Sequence, residues 1–218
     1  MININKLNEN LHKTLAKGRV AISHPAGCPN ISLHLFDPQV LEGPLSHDEA
    51  QAVVAEPAYW SFCWASGQVL AQFILSLPER VKDKVVVDVG SGSGIVAIAA
   101  AMAGAKSVYA CDIDEDALDA IRINAQANQV TILTIKDLSE VSETIDLITA
   151  ADVLYDRDNF SLLTQFTESA PKVLLADSRV KKLPVDHYQL ETTIEARTWP
   201  DLNEFEEFNQ VRIYASSH

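Results

Sequence analysis

The sequence lacks the features that would indicate a disulfide-linked, membrane-spanning or secreted protein. Its three cysteines, Cys28, Cys63 and Cys111, are odd in number and far apart, so they give no disulfide framework. The apolar stretch near residue 100 is broken by Gly104 and Lys106, and no other run is long enough for a membrane span. The first residues lack the apolar core of a signal peptide. We therefore expect a cytoplasmic protein that does not associate with a membrane.

Positive charge is also scarce, with 17 Lys and Arg against 30 Asp and Glu and a formal net charge of −13. Such a surface repels phosphate backbones, so nucleic-acid binding is not expected, whereas a basic protein or a cationic small molecule is easier to accommodate. Seven acidic residues lie between Asp186 and Glu207 against Arg197 alone, which we interpret as a solvated face. His24 and Cys28 are close in sequence, but nothing nearby completes a ligand set, so no metal site is predicted.

At 218 residues and 23.9 kDa the chain fits one globular unit, which we divide into two parts. Residues 1–65 are predicted to be a small extension packed on the core. This part contains an amphipathic helix within residues 1–20, an alternating edge strand over Ile31–Phe36, and a short helix that opens with a capping box at Ser46–Glu49. Residues 66–218 are predicted to form the main domain.

Strand and helix patterns alternate from Lys84 onward, after a helix that begins near Ser66. This alternation predicts an α/β fold with a doubly wound, mostly parallel, seven-stranded sheet and helices on both faces. The last two strands have no helix between them, which predicts an antiparallel hairpin at the edge of the sheet. The predicted strands are 85–89, 107–112, 130–135, 145–151, 172–177, 187–196 and 208–215, and the predicted helices are 93–103, 115–128 and 158–169.

One apolar run ends in a carboxylate and three glycines, in the stretch VVVDVGSGSGIV over residues 85–96. The β-branched run before the glycines indicates a buried strand, and the alanine-rich run after them indicates a helix. Gly90, Gly92 and Gly94 therefore occupy a strand-to-helix turn. The backbone of such a turn can approach a ligand closely, with the helix N-terminus behind it.

The strands that follow also end in polar residues. Because ligands bind at the carboxyl ends of the strands in such sheets, we expect Asp112, Asp137, Asp152 and Tyr155 to lie on one rim. Asp112 lies 22 residues after Gly90, about the spacing at which an acidic side chain accepts hydrogen bonds from ribose hydroxyls. Asp137 is either an acceptor for an adenine amino group or a plain turn residue.

The spacing of the glycines separates two classes of cofactor. A dinucleotide site uses G-x-G-x-x-G, which would require a third glycine at position 95, and position 95 is Ile. That interpretation also leaves Asp88 without a role. S-adenosylmethionine has a ribose, an adenine, a sulfonium and an aminoacyl tail but no pyrophosphate, so it accounts for both features. The pattern D-x-G-x-G-x-G resembles the first motif of class I methyltransferases, in which the acid lies near the turn and the tail.

A second resemblance narrows the family. Residues 59–70, YWSFCWASGQVL, resemble the P-Y-W-A-x-Y-W-P-G-G-Q segment of the seven-β-strand protein-lysine methyltransferases, especially the family that modifies the β subunit of electron transfer flavoprotein. Ile31–Phe36 and Ala151–Asp156 match further segments of that family, and the similarity extends over about residues 30–180. The sequence departs from the family at Ala65 and Ser66, where the family often has Pro and Gly.

The resemblance implies a Rossmann-like methyltransferase fold, S-adenosylmethionine as cofactor, and a protein substrate with an accessible lysine, for which the electron transfer flavoprotein β subunit is one candidate. Asp152 and Tyr155 occupy the positions of the D/N-P-P-Y motif of amino-group methyltransferases, with Val153 and Leu154 in place of the prolines. By this match Asp152 recruits the lysine ammonium and Tyr155 orients the nitrogen, unless Asp152 merely caps the following helix. The resemblance implies that ten residues bind the cofactor: Trp64, Asp88, Gly90, Ser91, Gly92, Gly94, Asp112, Ile113, Asp137 and Ala151.

Other functions stay open at this point. The acceptor could be a small amine or a ribosomal protein, the chain could be a non-catalytic domain that binds an adenosyl ligand, or it could be a dinucleotide oxidoreductase. The aromatic segment that begins at Tyr59 could also be a buried packing cluster and not a cofactor contact. Titration with S-adenosylmethionine and with NAD separates the oxidoreductase from the rest, and labelled methyl transfer into a lysate separates protein from small-molecule acceptors.

Overall fold

The computed structural model describes residues 3–40, 57–201 and 206–216. The strands are β1 (Val20–Ser23), β2 (Leu33–Phe36), β3 (Val85–Val89), β4 (Ser107–Cys111), β5 (Leu133–Ile135), β6 (Leu147–Ala151), β7 (Val173–Asp177), β8 (Tyr188–Glu195) and β9 (Gln210–Ser216). The α-helices are α1 (Ile4–His12), α2 (Ala65–Ser76), α3 (Ile95–Met102), α4 (Glu115–Ala127) and α5 (Leu162–Ser169). Short 3-10 helices lie at Pro38–Val40, Tyr59–Ser61, Pro78–Arg80, Leu138–Glu140, Arg157–Ser161 and Glu206–Asn209. Across these ranges no helix has both the length and the apolar character needed to cross a membrane.

Seven strands form one sheet in the order β5-β4-β3-β6-β7-β9-β8. The pairs from β5 to β7 are parallel, whereas β9 is antiparallel to both β7 and β8. This arrangement confirms the predicted α/β sheet with an antiparallel pair of strands at its C-terminal edge. The chain order changes direction between β3 and β6, and that switch point is where a crevice for a ligand is expected in a sheet of this kind.

The core forms around β3 because this strand is buried along almost its whole length. Val85, Val86 and Val87 are each at most 3% exposed, as expected for a continuous β-branched run in a parallel strand. On one face, α2 and α3 pack closely, since a Cβ on Gly67 would lie only 3.2 Å from Ile95 Cγ2. On the other face, α5 buries two large apolar side chains against the sheet. The core thus fixes where β3 ends and α3 begins.

The N-terminal part differs from the predicted arrangement. The helix ends at His12 and not near residue 20, because Leu15 and Gly18 close a turn in which the ring of His12 contacts the Gly18 carbonyl at 2.8 Å. The strand β1 was not predicted, and it pairs with β2 in a separate two-stranded sheet. This segment packs on α4 through a small cluster of buried apolar residues. The capping box predicted at Ser46–Glu49 lies outside the described residues.

Two predicted elements have different bounds. The third strand of the main domain begins at Leu133 and not at Val130, because Val130 N–H donates to Ala125 O and is used to close α4. Gln129 has a φ of +56° at this closure. The helix predicted over 158–169 is divided into a 3-10 helix, Arg157–Ser161, and α5. Both differences concern the ends of elements and leave the sheet order unchanged.

Candidate active site

The glycine turn connects β3 to α3 and requires glycine for two separate reasons. Gly90 has a φ of +67°, and a Cβ there would lie 2.6 Å from Val153 Cγ1, so the segment after β6 packs directly on the turn. Gly94 has a φ of +83° at the N-cap of α3, where a Cβ would be 3.3 Å from Ile121 Cγ1. Any residue other than glycine would be strained and crowded at both positions.

Gly92 occupies the open side of the same turn. A Cβ there would meet only the Gly90 carbonyl oxygen, at 4.0 Å, so the space in front of Gly92 is not filled by the protein. Its amide donates to Asp112 Oδ2 at 2.9 Å, and the amide of Asp114 donates to Asp112 Oδ1 at 3.1 Å. Each carboxylate oxygen can accept a further hydrogen bond. Burial raises the pKa of Asp112, and the hydrogen bond from Gly92 opposes that shift.

Ile113 and Asp137 lie on the rim beside Asp112. Ile113 is 89% exposed, which leaves its side chain free to cover an aromatic ring. Asp137 is exposed and caps the 3-10 helix that follows it, accepting from the amide of Ser139 at 2.9 Å. Hydrogen bonds with Ser139 lower the pKa of Asp137. The structure therefore gives Asp137 the role of a turn residue, and its contact with an adenine stays a prediction.

Asp88 is not on the open rim. It is 2% exposed, and its two oxygens accept from Ser91 Oγ at 2.6 Å and Thr149 Oγ1 at 2.8 Å. Burial raises the pKa of Asp88 to about 7, against the effect of these two hydroxyls. Direct contact between Asp88 and a cofactor tail would require Ser91 to move. In this structure Asp88 supports the glycine turn from the inside, and its contact with the cofactor stays a prediction.

Aromatic side chains form a wall on the neighbouring part of the rim. The ring of Tyr59 lies 5.7 Å from that of Trp64 and 5.9 Å from that of Tyr155, measured between centroids, and Trp64 is 5.9 Å from Phe62. Trp64 Nε1 donates to the Tyr59 carbonyl at 3.0 Å. Tyr155 is 62% exposed, and its pKa is raised mainly by burial, with a smaller contribution from the charge of Asp112. The structure thus brings Trp64 and Tyr155 together through Tyr59.

Asp152 directly follows Ala151, the last residue of β6, and has a φ of +53°. Its carboxylate accepts hydrogen bonds from the amides and hydroxyls of both Ser66 and Ser178. The 3-10 helix that follows is capped by Asp156. The alternative in which Asp152 caps the following helix is therefore wrong.

Four residues of this region were not singled out from the sequence: Tyr59, Ser66, Thr149 and Ser178. Tyr59 stands at the start of a segment that also contains Trp60, Phe62 and Trp64, and this density of aromatic residues was the available signal. The three hydroxyl residues carry no local signal, since each acts on an aspartate far away in the chain. Thr149 and Asp88, for example, are 61 positions apart.

Comparisons with known proteins show that this chain resembles methyltransferases. A family model described as ribosomal protein L11 methyltransferase (PrmA) matches residues 70–174. A solved ribosomal protein L11 methylase from Lactobacillus delbrueckii subsp. bulgaricus has a TM-score of 0.53 and 26% identity, covering 70% of this chain and 79% of that chain. Magnesium protoporphyrin IX methyltransferase from Synechocystis, solved with bound S-adenosylmethionine, has a TM-score of 0.53 at 18% identity, covering 81% and 86%. The chain has the class I methyltransferase fold, and nearly half of its length resembles methyltransferases in sequence.

Within that class, the sequence is similar to enzymes that modify proteins. The electron transfer flavoprotein beta subunit lysine methyltransferase of Mus musculus is 34% identical over 157 residues, covering 68% of this chain and 60% of the relative. That of Rattus norvegicus is 36% identical over 133 residues, covering 60% and 51%. The ribosomal protein L11 methyltransferase of Geobacillus kaustophilus is 40% identical over 98 residues, covering 43% and 30%. The chain spans roughly half to three fifths of the length of the lysine methyltransferases it matches.

Proposed function

We propose that this chain transfers the methyl group of S-adenosylmethionine to an amino group, and that this amino group is a lysine side chain of a protein. The observation that carries the proposal is the position of Asp112 and Gly92 beside an aromatic wall and Asp152 at one edge of the sheet. Similarity to lysine methyltransferases at 34–36% identity supports the choice of acceptor.

The residues at the glycine turn fit the adenosyl part of the cofactor. The open space in front of Gly92 accepts a ligand where a Cβ would otherwise stand. The remaining lone pairs of Asp112 can accept hydrogen bonds from ribose hydroxyls, and the exposed side chain of Ile113 can cover the adenine. When bound, S-adenosylmethionine supplies an electrophilic methyl group on a positively charged sulfur.

The aromatic wall and Asp152 fit a cationic acceptor. The faces of Tyr59, Trp64 and Tyr155 attract a positive charge and exclude water from it. Asp152 Oδ2 accepts one hydrogen bond, from the Ser66 amide, and can accept another from a lysine ammonium. A nearby carboxylate raises the pKa of a lysine, whereas methyl transfer needs the neutral amine. Removal of water by the aromatic side chains lowers that pKa and opposes the effect of Asp152.

The formal net charge of −13 supports a basic protein partner. The β subunit of electron transfer flavoprotein is the first candidate acceptor, because it is the substrate named for several relatives. Ribosomal protein L11 is a second candidate, since the matched family model bears its name. A cytoplasmic location is proposed with either acceptor.

The test is transfer of a labelled methyl group from S-adenosylmethionine to three acceptors: the purified flavoprotein β subunit, purified L11, and a cell lysate resolved by size. We expect label on the β subunit and methylated lysine by mass spectrometry, and no label with Asp112→Ala at limiting cofactor. Label on L11 alone would favour the second candidate, and label only in the small-molecule fraction would contradict a protein acceptor. S-adenosylmethionine binding by calorimetry without any transfer would indicate a non-catalytic domain.

A further inference from the structure

Asp152 is held in an unusual backbone conformation by side-chain contacts from two other segments. Its φ of +53° lies in the left-handed region, which non-glycine residues seldom adopt without compensation. Oδ1 accepts from Ser66 Oγ at 2.6 Å, from Ser178 Oγ at 2.9 Å and from Ser178 N at 3.3 Å. Oδ2 accepts from Ser66 N at 3.2 Å. Ser66 is fully buried and Ser178 is 6% exposed, so water competes little for these bonds.

The bond to the Ser66 amide caps α2 from a distance in the chain. Trp64 occupies the N-cap position of α2 and makes no side-chain capping bond. The first amides of a helix need an acceptor, and a negative charge is favourable at this end. Asp152 supplies both functions from 86 positions away.

The bonds to Ser178 join the end of β7 to the same carboxylate. Ser178 follows Asp177, the last residue of β7, and Asp152 N donates to the Ala176 carbonyl at 3.0 Å. Backbone and side chain of Asp152 therefore both contact β7 and its extension. Three segments of the fold meet at one carboxylate: the start of α2 and the ends of β6 and β7.

Two of these segments also carry residues of the proposed site. Trp64 immediately precedes α2, so the cap on α2 determines where the indole ring lies. Val153 follows Asp152 and touches the Gly90 position of the cofactor turn, and Tyr155 comes two residues later. The bond from the Asp152 amide to the Ala176 carbonyl holds this part of the backbone independently of the two serine hydroxyls, so their loss would reorient the carboxylate and leave the turn in place.

We infer that Ser66 and Ser178 are positioning residues that hold the Asp152 carboxylate, with Oδ1 saturated and one acceptor site on Oδ2 left for the acceptor ammonium. This inference rests on the proposed function. The two hydroxyls do not touch the acceptor, and they act through Asp152. Their effect should therefore fall on the alignment of the acceptor nitrogen and not on the binding of the cofactor.

The test compares Ser66→Ala and Ser178→Ala with Ser76→Ala. Ser76 lies on the same helix as Ser66, and its hydroxyl donates only to the Phe73 carbonyl on the exposed side, so it is a matched control. We expect each of the first two variants to lower kcat about tenfold or more, as for the loss of a hydrogen bond to a charged group. The KM for the protein acceptor and the Kd for S-adenosylmethionine should change less than about twofold, because the contacting surfaces are unchanged.

Amide hydrogen exchange gives a readout that does not depend on methyl transfer. Ser178→Ala should speed exchange at the Ser66 amide, and Ser66→Ala should speed it at the Ser178 amide, because each loosens the shared acceptor. Unchanged exchange in both variants would contradict the shared hydrogen bonds. Faster exchange with unchanged kcat would mean that the bonds are structural only and would overturn the positioning role. If the parent protein binds S-adenosylmethionine but methylates no acceptor, the proposed function fails, while the exchange rates still decide whether the hydroxyls hold Asp152.

Discussion

Charged residues have different partners at the two ends of the parallel strands. The side of the sheet where these strands end is the carboxyl edge, and the side where they begin is the amino edge. At the carboxyl edge, in the described part of the chain, three aspartates accept hydrogen bonds from hydroxyl and amide donors and take part in no ion pair: Asp88, Asp112 and Asp152. In Asp177, Oδ1 accepts from the amides of Arg179 and Val180, whereas the buried Oδ2 has no partner among the described residues. At the amino edge two pairs of opposite charges are in contact. Lys106 Nζ lies 2.8 Å from Glu143 Oε2, and Arg80 Nη2 lies 2.8 Å from Glu191 Oε2.

The difference follows from what each edge has to do. Ion pairs near the surface need no further partner and add little to stability, so they suit an edge that only completes the fold. Asp112 and Asp152 are held by neutral donors and have no countercharge of their own, so they can attract a cationic ligand, whereas Asp88 is buried beneath the turn. A sulfonium cofactor and a lysine ammonium both carry positive charge, and both would be attracted to the carboxyl edge.

Replacement of Asp88 should change the pH dependence of folding. Because burial raises the pKa of Asp88 from 3.8 to about 7, the folded protein keeps a proton that the unfolded chain loses, and stability falls as pH rises through this window. The contribution is at most about 1.4 kcal/mol for each pH unit. Asp88→Asn should remove this pH dependence. The free energy of unfolding of the variant should therefore rise relative to that of the parent as the pH increases from 4 to 7. Urea unfolding at several pH values measures the difference.

Asp137→Asn is the control of opposite sign. Hydrogen bonds lower the pKa of Asp137, so any stability it contributes is present above the ordinary pKa of an aspartate and is lost only in more acidic solution. Between pH 5 and pH 7, the free energy of unfolding of this variant should change with pH as steeply as that of the parent. Equal slopes for the parent and Asp88→Asn would mean that Asp88 is ionised in the folded protein.

Gly92→Val should abolish most cofactor binding. A side chain at this position projects into the space in front of the turn, and a φ of +52° is strained for a β-branched residue. We expect the Kd for S-adenosylmethionine to rise by about a hundredfold or more, which is about 3 kcal/mol. Gly104→Val is the matched control, since Gly104 has a φ of +89° but lies at the end of α3 away from the turn. A similar loss of affinity in both variants would point to backbone strain and not to a blocked site.

Asp112→Ala should weaken cofactor binding by a smaller amount. Loss of charge-assisted hydrogen bonds to the ribose costs about 1.5–3 kcal/mol, roughly 10- to 100-fold in Kd. Calorimetry measures the effect, and Asp137→Ala in the same assay shows whether the second acid on the rim contributes. Unchanged affinity in Asp112→Ala would exclude the ribose contact.

Much of the carboxyl edge could be predicted from the sequence because its signals are local. The run of valines before the glycine turn, the alternation of strands and helices, and the 22-residue interval from Gly90 to Asp112 each depend on neighbouring residues or on a regular repeat. These signals predict the sheet and its antiparallel edge, both of which the structure confirms. The roles of Asp112, Asp152 and Tyr155 stay predictions.

The remaining features depend on contacts between distant parts of the chain. Ser66 and Asp152 are 86 positions apart, and no periodicity connects them. The sequence likewise did not reveal that Asp88 faces inward, because a strand-end aspartate has the same neighbours in the chain whether Thr149 is beside it or not. The strand β1 was missed because its sequence, VAIS, lacks the alternation of apolar and polar residues that indicates β2, and β1 is stabilised by pairing with β2. Such short elements form only when the partner is in place.

The smallest effect is expected at the amino edge, from Arg80→Gln. The ion pair with Glu191 is partly exposed, with 38% and 24% of the two side chains accessible, and Arg80 also lies 5.6 Å from the ring centroid of Phe73. Exposed pairs contribute up to about 1 kcal/mol, so stability should fall by less than that, and high salt should reduce the loss. The stability of Arg80→Lys, which keeps the charge, should lie between that of the parent and that of Arg80→Gln. Cofactor affinity and methyl transfer should not change in either variant, because no contact of Arg80 reaches the carboxyl edge. A change in either would mean that the two edges are coupled through the strands, and the division of charge by role would then be wrong.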